Sequence, residues 1–345
     1  MKPFLLVTLA LLLAFAALAA TSGDVRSGVW TADIRDGHVH MNVFRGEEDG
    51  HHSYNNMGFS LPLGRFEGLS AADGESKFAL RAAAGAIAFD GYFSDSKGAG
   101  HYSFTPNQSF VREMESLGMS GFTDEQLLMF ATTDFEPATL RGLKAMGYDV
   151  TRRELDEVAV FHITPAVIRE YAASGFPNLT LREAVNFRVG NVNAAYIDAM
   201  KQLGYGNVSA RELADMAILG VTPEYVRSLR AAGLTNLSTR EVRDLRVGRV
   251  NAASIKGYAD AGYPNLTARE LSEFGIQHVT PEYIESLRKV GYDHIPPKQL
   301  VEMRIFRVDA DYINEMRAMG VQDLRKMIDL RVTGAADILA KHKNR

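Results

Sequence analysis

The stretch VTPEYVRSLRAAGLTNLSTREVRDLRVGRV, residues 221–250, decides the fold because it is one unit of a repeat. Its first half predicts a helix that begins after the capping residue Thr222 and ends before Gly233. Its second half opens with a capping box of Ser238 and Glu241, whose side chains satisfy two free backbone N–H groups at the start of a second helix. The predicted building block is therefore a pair of short helices.

Glycines that end the first helix of each unit recur every 29 residues, with one interval of 28: Gly118, Gly147, Gly175, Gly204, Gly233, Gly262, Gly291 and Gly320. The capping box recurs in register at Thr123/Gln126, Thr151/Glu154, Thr180/Glu183, Ser209/Glu212, Ser238/Glu241 and Thr267/Glu270. Helix pairs in tandem bury their apolar faces only against their neighbours. The sequence thus predicts an α-solenoid of about eight 29-residue helix-pair repeats over residues 106–345. Units that open with Thr-Pro alternate with units that open with Asn or Asp, which indicates duplication of a two-unit block.

Two apolar columns follow the same period. One consists of Phe187, Met216, Leu245, Phe274 and Met303. The other consists of Val189, Ile218, Val247, Ile276 and Ile305. We expect both columns to lie in the continuous core that the units share.

The region before the repeat has the period of β-strands. Alternating apolar residues predict strands at 28–34, 38–44, 59–63, 77–82, 86–93 and 100–104. Asp36-Gly37 predicts a tight hairpin turn, because both central residues of such a turn need positive φ. We therefore predict a small antiparallel β domain, sandwich or barrel, over residues 21–105, and an α+β fold for the chain.

The N-terminus has the pattern of an export signal. Lys2 precedes an apolar run over residues 4–20, and Ala17-Leu18-Ala19 offers small residues for cleavage. We expect residues 1–20 to be a signal peptide and the remainder to be periplasmic or secreted; the alternative is an uncleaved anchor, which would tie the protein to a membrane. The chain has no cysteine and a net charge of -4, so we expect neither disulfides nor a general attraction to nucleic acid.

Histidines in the β region are the candidates for metal binding. His38 and His40 share one face of a predicted strand, and His51 and His52 follow an acidic run. Together they could bind zinc, nickel or copper, but the spacing specifies no geometry, and an exposed strand face with a solvated loop explains them without a metal. No HExxH, GxSxG or phosphate-binding loop is present, so no catalytic residue and no cofactor is predicted. The sequence leans towards a protein that is not an enzyme.

Two further columns are candidates for binding a partner. Arg153, Arg182, Arg211, Arg240 and Arg269, continued by Lys298, occupy the start of the second helices. Such a ladder could bind the carboxylates of a peptide or glycan, or it could be a solvated helix face. Tyr196, Tyr225, Tyr283 and Tyr312 form the other column, which either anchors a partner or packs between units. The predicted partner-binding residues are Arg182, Arg211, Arg240, Arg269, Tyr196, Tyr225, Tyr283 and Tyr312.

The phrases that begin at Val221 and at Val279, VTPEYVRSLRAAG and VTPEYIESLRKVGY, resemble helical repeats of bacterial exported regions. Such repeats follow the membrane part of BlaR1-like M56 metallopeptidases. The strand around Trp30 and the segment GYFSDSKGAGHYSFTP from Gly91 are similar to the β-rich piece that precedes those repeats. The peptidase motif HExxH is absent, so the resemblance implies no catalytic residue. It implies an exported sensing or interaction module.

The leading hypothesis is an exported, non-enzymatic binding protein that engages a protein or peptide partner in the bacterial envelope, as a sensor or adaptor. Repeats favour this role because stacked units create an extended surface. One alternative is a metal-binding or enzymatic protein centred on the histidine-bearing β domain. The other is a structural envelope protein that associates with copies of itself.

Overall fold

The structure, a computed structural model, describes residues 26–45 and 56–336. The chain divides into two compact units between Arg169 and Glu170. Seven β-strands come first: β1 Arg26–Arg35, β2 His38–Arg45, β3 Asn56–Pro62, β4 Phe66–Glu67, β5 Gly74–Ala82, β6 Gly85–Ser94 and β7 Lys97–Pro106. Helices follow from Gln108 onward, which confirms the predicted α+β fold. The domain boundary predicted at residue 105 stays a prediction, although the strands give way to helices there.

All seven strands form one antiparallel sheet in the order β3-β2-β1-β7-β6-β5-β4, curled into a half-barrel. Its core is aromatic: the ring of Trp30 meets the edge of Phe78 at 5.3 Å, and Phe78 stacks on Phe89 at 4.7 Å between centroids. The indole N–H of Trp30 donates to the carbonyl of His101 at 3.0 Å, so the buried ring leaves no polar group unpaired. In this unit the sheet packs against the helix formed by Asp124–Thr132.

The six predicted strands are all present. The turn at Asp36-Gly37 has φ values of 52° and 72°, which confirms the predicted hairpin. The two-residue strand β4 was not predicted, because two residues are too few to show an alternating pattern.

Sixteen helices occupy the described part of the chain after the sheet, as eight pairs. The first helices of the pairs are α1 Gln108–Ser116, α3 Pro137–Ala145, α5 Pro165–Ala173, α7 Ala194–Met200, α9 Pro223–Ala231, α11 Ala252–Asp260, α13 Pro281–Lys289 and α15 Ala310–Ala318. The second helices are α2 Asp124–Thr132, α4 Arg152–Val160, α6 Leu181–Val189, α8 Ala210–Ile218, α10 Thr239–Val247, α12 Ala268–Ile276, α14 Pro297–Ile305 and α16 Leu324–Thr333.

The helix boundaries lie where the sequence predicts them. All eight repeat glycines have positive φ, between 83° and 105°, a region that glycine adopts without strain. All six capping boxes are formed in both directions. In one of them, hydrogen bonds from the hydroxyl and the backbone of Thr151 hold the pKa of Glu154 below its usual value.

Side chains of one pair bind the free carbonyls at the helix ends of the preceding pair. In the second of the two compact units, Lys201 donates to the carbonyl of Ser174 at 2.6 Å, and Arg288 donates to that of Ala261 at 2.9 Å. The second helices make the same contact, because Arg304 of α14 donates to the carbonyl of His278, just beyond the end of α12, at 3.0 Å. These carbonyls have no partner within their own helix, so the side chains join neighbouring pairs while they satisfy the helix ends.

The predicted core column of Phe187, Met216, Leu245, Phe274 and Met303 is confirmed, since every member is fully buried. Between α10 and α12 the backbones come so close that a methyl group on Gly275 would lie 1.9 Å from the carbonyl oxygen of Gly248. One block earlier, Gly190 and Ala217 occupy the same two positions. The duplication of a two-unit block is therefore visible in the structure, because the close contact between successive second helices recurs at every second joint.

Gly275→Ala tests this contact. In a helix interior, alanine normally stabilises relative to glycine by about 1 kcal/mol, but here the methyl group would force two backbones apart. We expect the free energy of unfolding in urea to fall by about 1–3 kcal/mol. The control is Gly257→Ala in α11, whose methyl group meets only a ring carbon of Pro281 at 3.0 Å and should change stability by less than about 1 kcal/mol. A stabilised Gly275→Ala variant would contradict the close approach.

Candidate interaction surface

The predicted arginines lie on the second helices of successive pairs, all within the second of the two compact units. Arg182, Arg211, Arg240 and Arg269 are all exposed, and each is the second residue of its helix, directly after the capping box begins. The side chains of Arg240 and Arg269 are 83% and 85% exposed. A cation at this position opposes the helix dipole, which favours negative charge near the N-terminus. Helix stability therefore does not explain the arginine column.

The four guanidinium groups differ in their partners. Arg240 lies 3.6 Å from Asp244, and Arg269 lies 2.9 Å from Glu273, each one helical turn away. Within the described residues, Arg182 and Arg211 have no ion pair. The carboxylate one turn from Arg211 belongs to Asp215, which Arg243 already contacts at 2.8 Å.

The predicted tyrosines lie at the joints between neighbouring pairs. Tyr196 and Tyr225 are partly buried, and Tyr283 and Tyr312 are buried. Three hydroxyls donate to the carbonyl just before the capping residue of the next pair: Tyr196 to Val221 and Tyr225 to Val250 at 2.9 Å, and Tyr283 to Val308 at 2.7 Å. The hydroxyl of Tyr312 donates to Met327 in the second helix of its own pair, at 2.8 Å. The packing between units that the sequence left open is thus present, and a role in binding a partner stays a prediction.

The second apolar column does not lie in the core, and that prediction was wrong. Val189, Ile218, Val247, Ile276 and Ile305 are not core residues, since they are 50%, 48%, 54%, 47% and 50% exposed. The reason is geometric: Val189 follows the buried Phe187 by two residues, and residues two apart on a helix point in nearly opposite directions. We call these five side chains the aliphatic row.

The aliphatic row is not needed to end the helices. The apolar contact that usually accompanies a helix end is made by Val192 and its equivalents, which are buried. Val192 donates its N–H to the carbonyl of Phe187 at 2.7 Å, and Asn191 donates to that of Arg188 at 3.0 Å, which completes the C-terminal cap. Eleven large apolar side chains are exposed in the described part of the chain, and six of them, Val160 included, occupy this one repeat position.

The arginine column and the aliphatic row lie on the same face of their helices. In α10, for example, Arg240 precedes Val247 by seven residues, which is almost two full turns and about 10 Å along the axis. Each of the helices α6, α8, α10 and α12 therefore presents a cation near its start and a branched aliphatic side chain at its end. We call this the second-helix face.

More cations border the aliphatic row beyond the helix ends. Arg249 and Arg307 are exposed and have left-handed backbones, with φ of 55° and 54°. Each donates its backbone N–H to the carbonyl three residues earlier, but neither guanidinium group has a hydrogen bond or ion pair within the described residues. Arg246 and Arg304, which lie next to the row, stand over the rings of Tyr225 and Tyr283 at 5.2 and 5.0 Å from the centroids. This border was not predicted from the sequence, although a spacing of 58 residues separates Arg249 from Arg307.

The histidines of the β region are only partly described. His38 and His40 lie on one face of β2, and His38 is exposed, with Nδ1 3.1 Å from the carbonyl oxygen of Asp36. His51 and His52 lie outside the described residues. Within residues 26–45 and 56–336, no group of three His, Cys, Asp or Glu side chains is placed to hold a metal ion. The metal site stays a prediction.

Comparison with protein families, with curated proteins and with solved structures gives no match for this chain. The segment predicted to be a signal peptide lies outside the described residues. Among the residues that are described, no helix is both long enough and apolar enough to cross a bilayer.

Tyr225→Phe tests the joint between units. The change removes the hydrogen bond to the carbonyl of Val250 and leaves the ring in place, so the free energy of unfolding should fall by about 1 kcal/mol. Tyr92→Phe is the control, because Tyr92 is 56% exposed on the sheet and should tolerate the change within about 0.5 kcal/mol. Equal urea midpoints for the two variants would contradict the joint.

The same tyrosines predict a loss of stability at alkaline pH. Burial raises the pKa of Tyr196 and of Tyr225 to about 12, whereas a tyrosine in an unfolded chain has a pKa of about 10. The unfolded state therefore loses these protons first, so their contribution to stability is complete below about pH 10 and is lost as the pH rises towards 12. Urea midpoints between about pH 8 and 12 should fall less steeply for Tyr196→Phe with Tyr225→Phe than for the unchanged protein. Identical slopes would refute the burial of these hydroxyls.

Proposed function

We propose that this chain is an exported, non-enzymatic interaction protein that engages a protein or peptide partner in the bacterial envelope through the second-helix face. It acts there as a sensor or adaptor module. The proposal assigns recognition to side chains of successive units and assigns no catalytic residue. Export rests on the sequence pattern of residues 1–20, and the envelope setting is what the resemblance to the exported repeats implies.

The observation that carries the proposal is the register of the aliphatic row. Single exposed aliphatic side chains are ordinary on protein surfaces. Five in successive units at one repeat position are not scattered, and each unit places a β-branched residue where a helix has no preference for one. A row of this kind gives a partner one apolar contact per unit along the second helices.

The surface also has the composition of a recognition site. An apolar strip with polar surroundings is the usual arrangement of a protein interface, and arginine is enriched among the residues that contribute most to binding. The four arginines of the column and the border cations Arg249 and Arg307 supply these surroundings. Tyr196, Tyr225 and Tyr283 support the surface indirectly, because each binds the carbonyl just before the next pair of helices.

Ile218→Ser, Val247→Ser and Ile276→Ser, made together, test the proposed function. We expect the triple variant to keep its circular dichroism spectrum and its melting temperature within a few degrees, because all three side chains are about half exposed. The amount of partner captured from the periplasmic fraction of producing cells should fall at least about tenfold, since three apolar contacts are lost.

The control is Val29→Ser, which removes an aliphatic side chain that is 46% exposed on the sheet and is not part of the second-helix face. Capture should be unchanged in this variant. Equal capture by the control and the triple variant would place the partner elsewhere. Failure to capture any partner, or absence of the protein from the periplasmic fraction, would overturn the proposal itself.

A further inference from the structure

We propose that the occupant of the second-helix face is an acidic peptide segment in an extended conformation, with an apolar side chain at every third residue. The inference rests on the proposed function and adds the chemistry of the partner to it. It is drawn from the charges beside the aliphatic row and from the spacing of helices in a stack.

On the second-helix face and just beyond it, the charged side chains without an ion pair among the described residues are all positive. Arg182 and Arg211 at the helix starts, and Arg249 and Arg307 beyond the helix ends, have no ion pair within the described residues. The acidic side chains on the same helices are already engaged: Asp215 by Arg243 at 2.8 Å and Glu302 by Arg325 at 3.0 Å. A ligand on this face therefore meets free cations on both sides of the row. Carboxylates complement them best, because guanidinium groups bind carboxylates through two parallel hydrogen bonds.

The spacing of the units selects an extended conformation with a period of three. Packed helices lie about 8–10 Å apart, so we expect successive members of the aliphatic row at about this spacing. A polyproline II segment returns a side chain to the same face every three residues, after about 9.3 Å. A β-strand returns a side chain to the same face every two residues, after about 6.7 Å, which is shorter than the spacing expected for the row. An apolar residue at every third position can thus contact every unit, and acidic residues between them reach the bordering arginines.

A narrow ligand fits this face better than a membrane or a nucleic acid does. The carboxylates of Asp244 and Glu273 lie on the same helix face as the aliphatic row, each paired with an exposed arginine. A bilayer or a duplex would cover these carboxylates together with the cations, whereas a single extended segment can lie along the row beside them. The net charge of -4 for the chain also gives no general attraction to polyanions.

Three synthetic peptides test the inference, each with five repeats and the same terminal fluorophore. The acidic probe repeats Ile-Asp-Pro, the basic probe repeats Ile-Lys-Pro, and the third probe repeats Ser-Asp-Pro, which keeps the charge and removes the apolar side chain. We expect fluorescence anisotropy to show the acidic probe binding at least about tenfold more tightly than either of the others. Equal or tighter binding of the basic probe, or no binding of the acidic probe, would overturn the inference.

Variants of the border cations locate the probe. Arg249→Glu with Arg307→Glu should weaken binding of the acidic probe at least about tenfold. Arg249→Gly with Arg307→Gly should weaken it in the same direction while the melting temperature stays level or rises, because glycine accepts the left-handed backbone at both sites. The matched control is Arg112→Glu with Lys289→Glu, two exposed cations on first helices, which changes the net charge equally. An equal loss in the control would mean that only net charge matters and would refute the site.

The inference can fail while the proposed function stands. Partner capture that depends on the aliphatic row but is unchanged by Arg249→Gly with Arg307→Gly would show a partner of another chemistry. Co-sedimentation with phosphatidylglycerol vesicles, without binding of the acidic probe, would overturn the inference in favour of a membrane surface. A dimer in solution that dissociates on Ile218→Ser, Val247→Ser and Ile276→Ser, without probe binding, would replace the peptide with a second copy of the chain.

Discussion

The free carbonyls at the helix ends are the constraint on which the repeat depends. Each nine-residue helix is only two and a half turns long, so carbonyls without a partner inside the helix are a large share of its polar groups. A helix of this length is not stable alone in water. Here lysine and arginine side chains from the following pair donate to those carbonyls, as Arg288 does to Ala261. The same bonds therefore complete one helix and fix the position of the next.

These contacts between pairs, together with the core, determine which side chains of the second helices remain on the surface. The core column and the buried valines after each second helix use the inward side of the second helices. The tyrosines and the carbonyl-binding cations use the joints between pairs. The outward side of the second helices has no structural task within the second unit, apart from short ion pairs such as that of Arg269 with Glu273. Its composition is thus free to be set by something outside the chain.

Much of the fold could be predicted from the sequence because its signals are local. A glycine with positive φ, a Thr or Ser cap and an Asp-Gly turn each act within four residues, and the structure confirms them at every repeat glycine and capping box. The contact between Gly248 and Gly275 was not predictable, since it depends on two backbones that are 27 residues apart. The acceptors of the tyrosine hydroxyls, such as Val250 for Tyr225, are likewise distant in sequence and were missed for the same reason. The exposure of Val189 was predictable, because a residue two positions from the buried Phe187 points away from the core.

Three choices on the second-helix face run against the local preferences of a helix. Arginine near the N-terminus opposes the helix dipole, as in Arg211. A half-exposed β-branched residue ends each helix, as in Ile276, where a polar residue with better helix propensity would be soluble. Arginine has a left-handed backbone at Arg249 and Arg307, although the equivalent positions Asn191 and Gly220 show that the repeat accepts residues with less strain there. Sequence choices that break local rules without a gain inside the fold tend to concentrate at functional sites. Since all three recur at repeat positions of the second helices or just beyond their ends, the proposed recognition of a ligand would account for them together, whereas the preferences of a single helix would not.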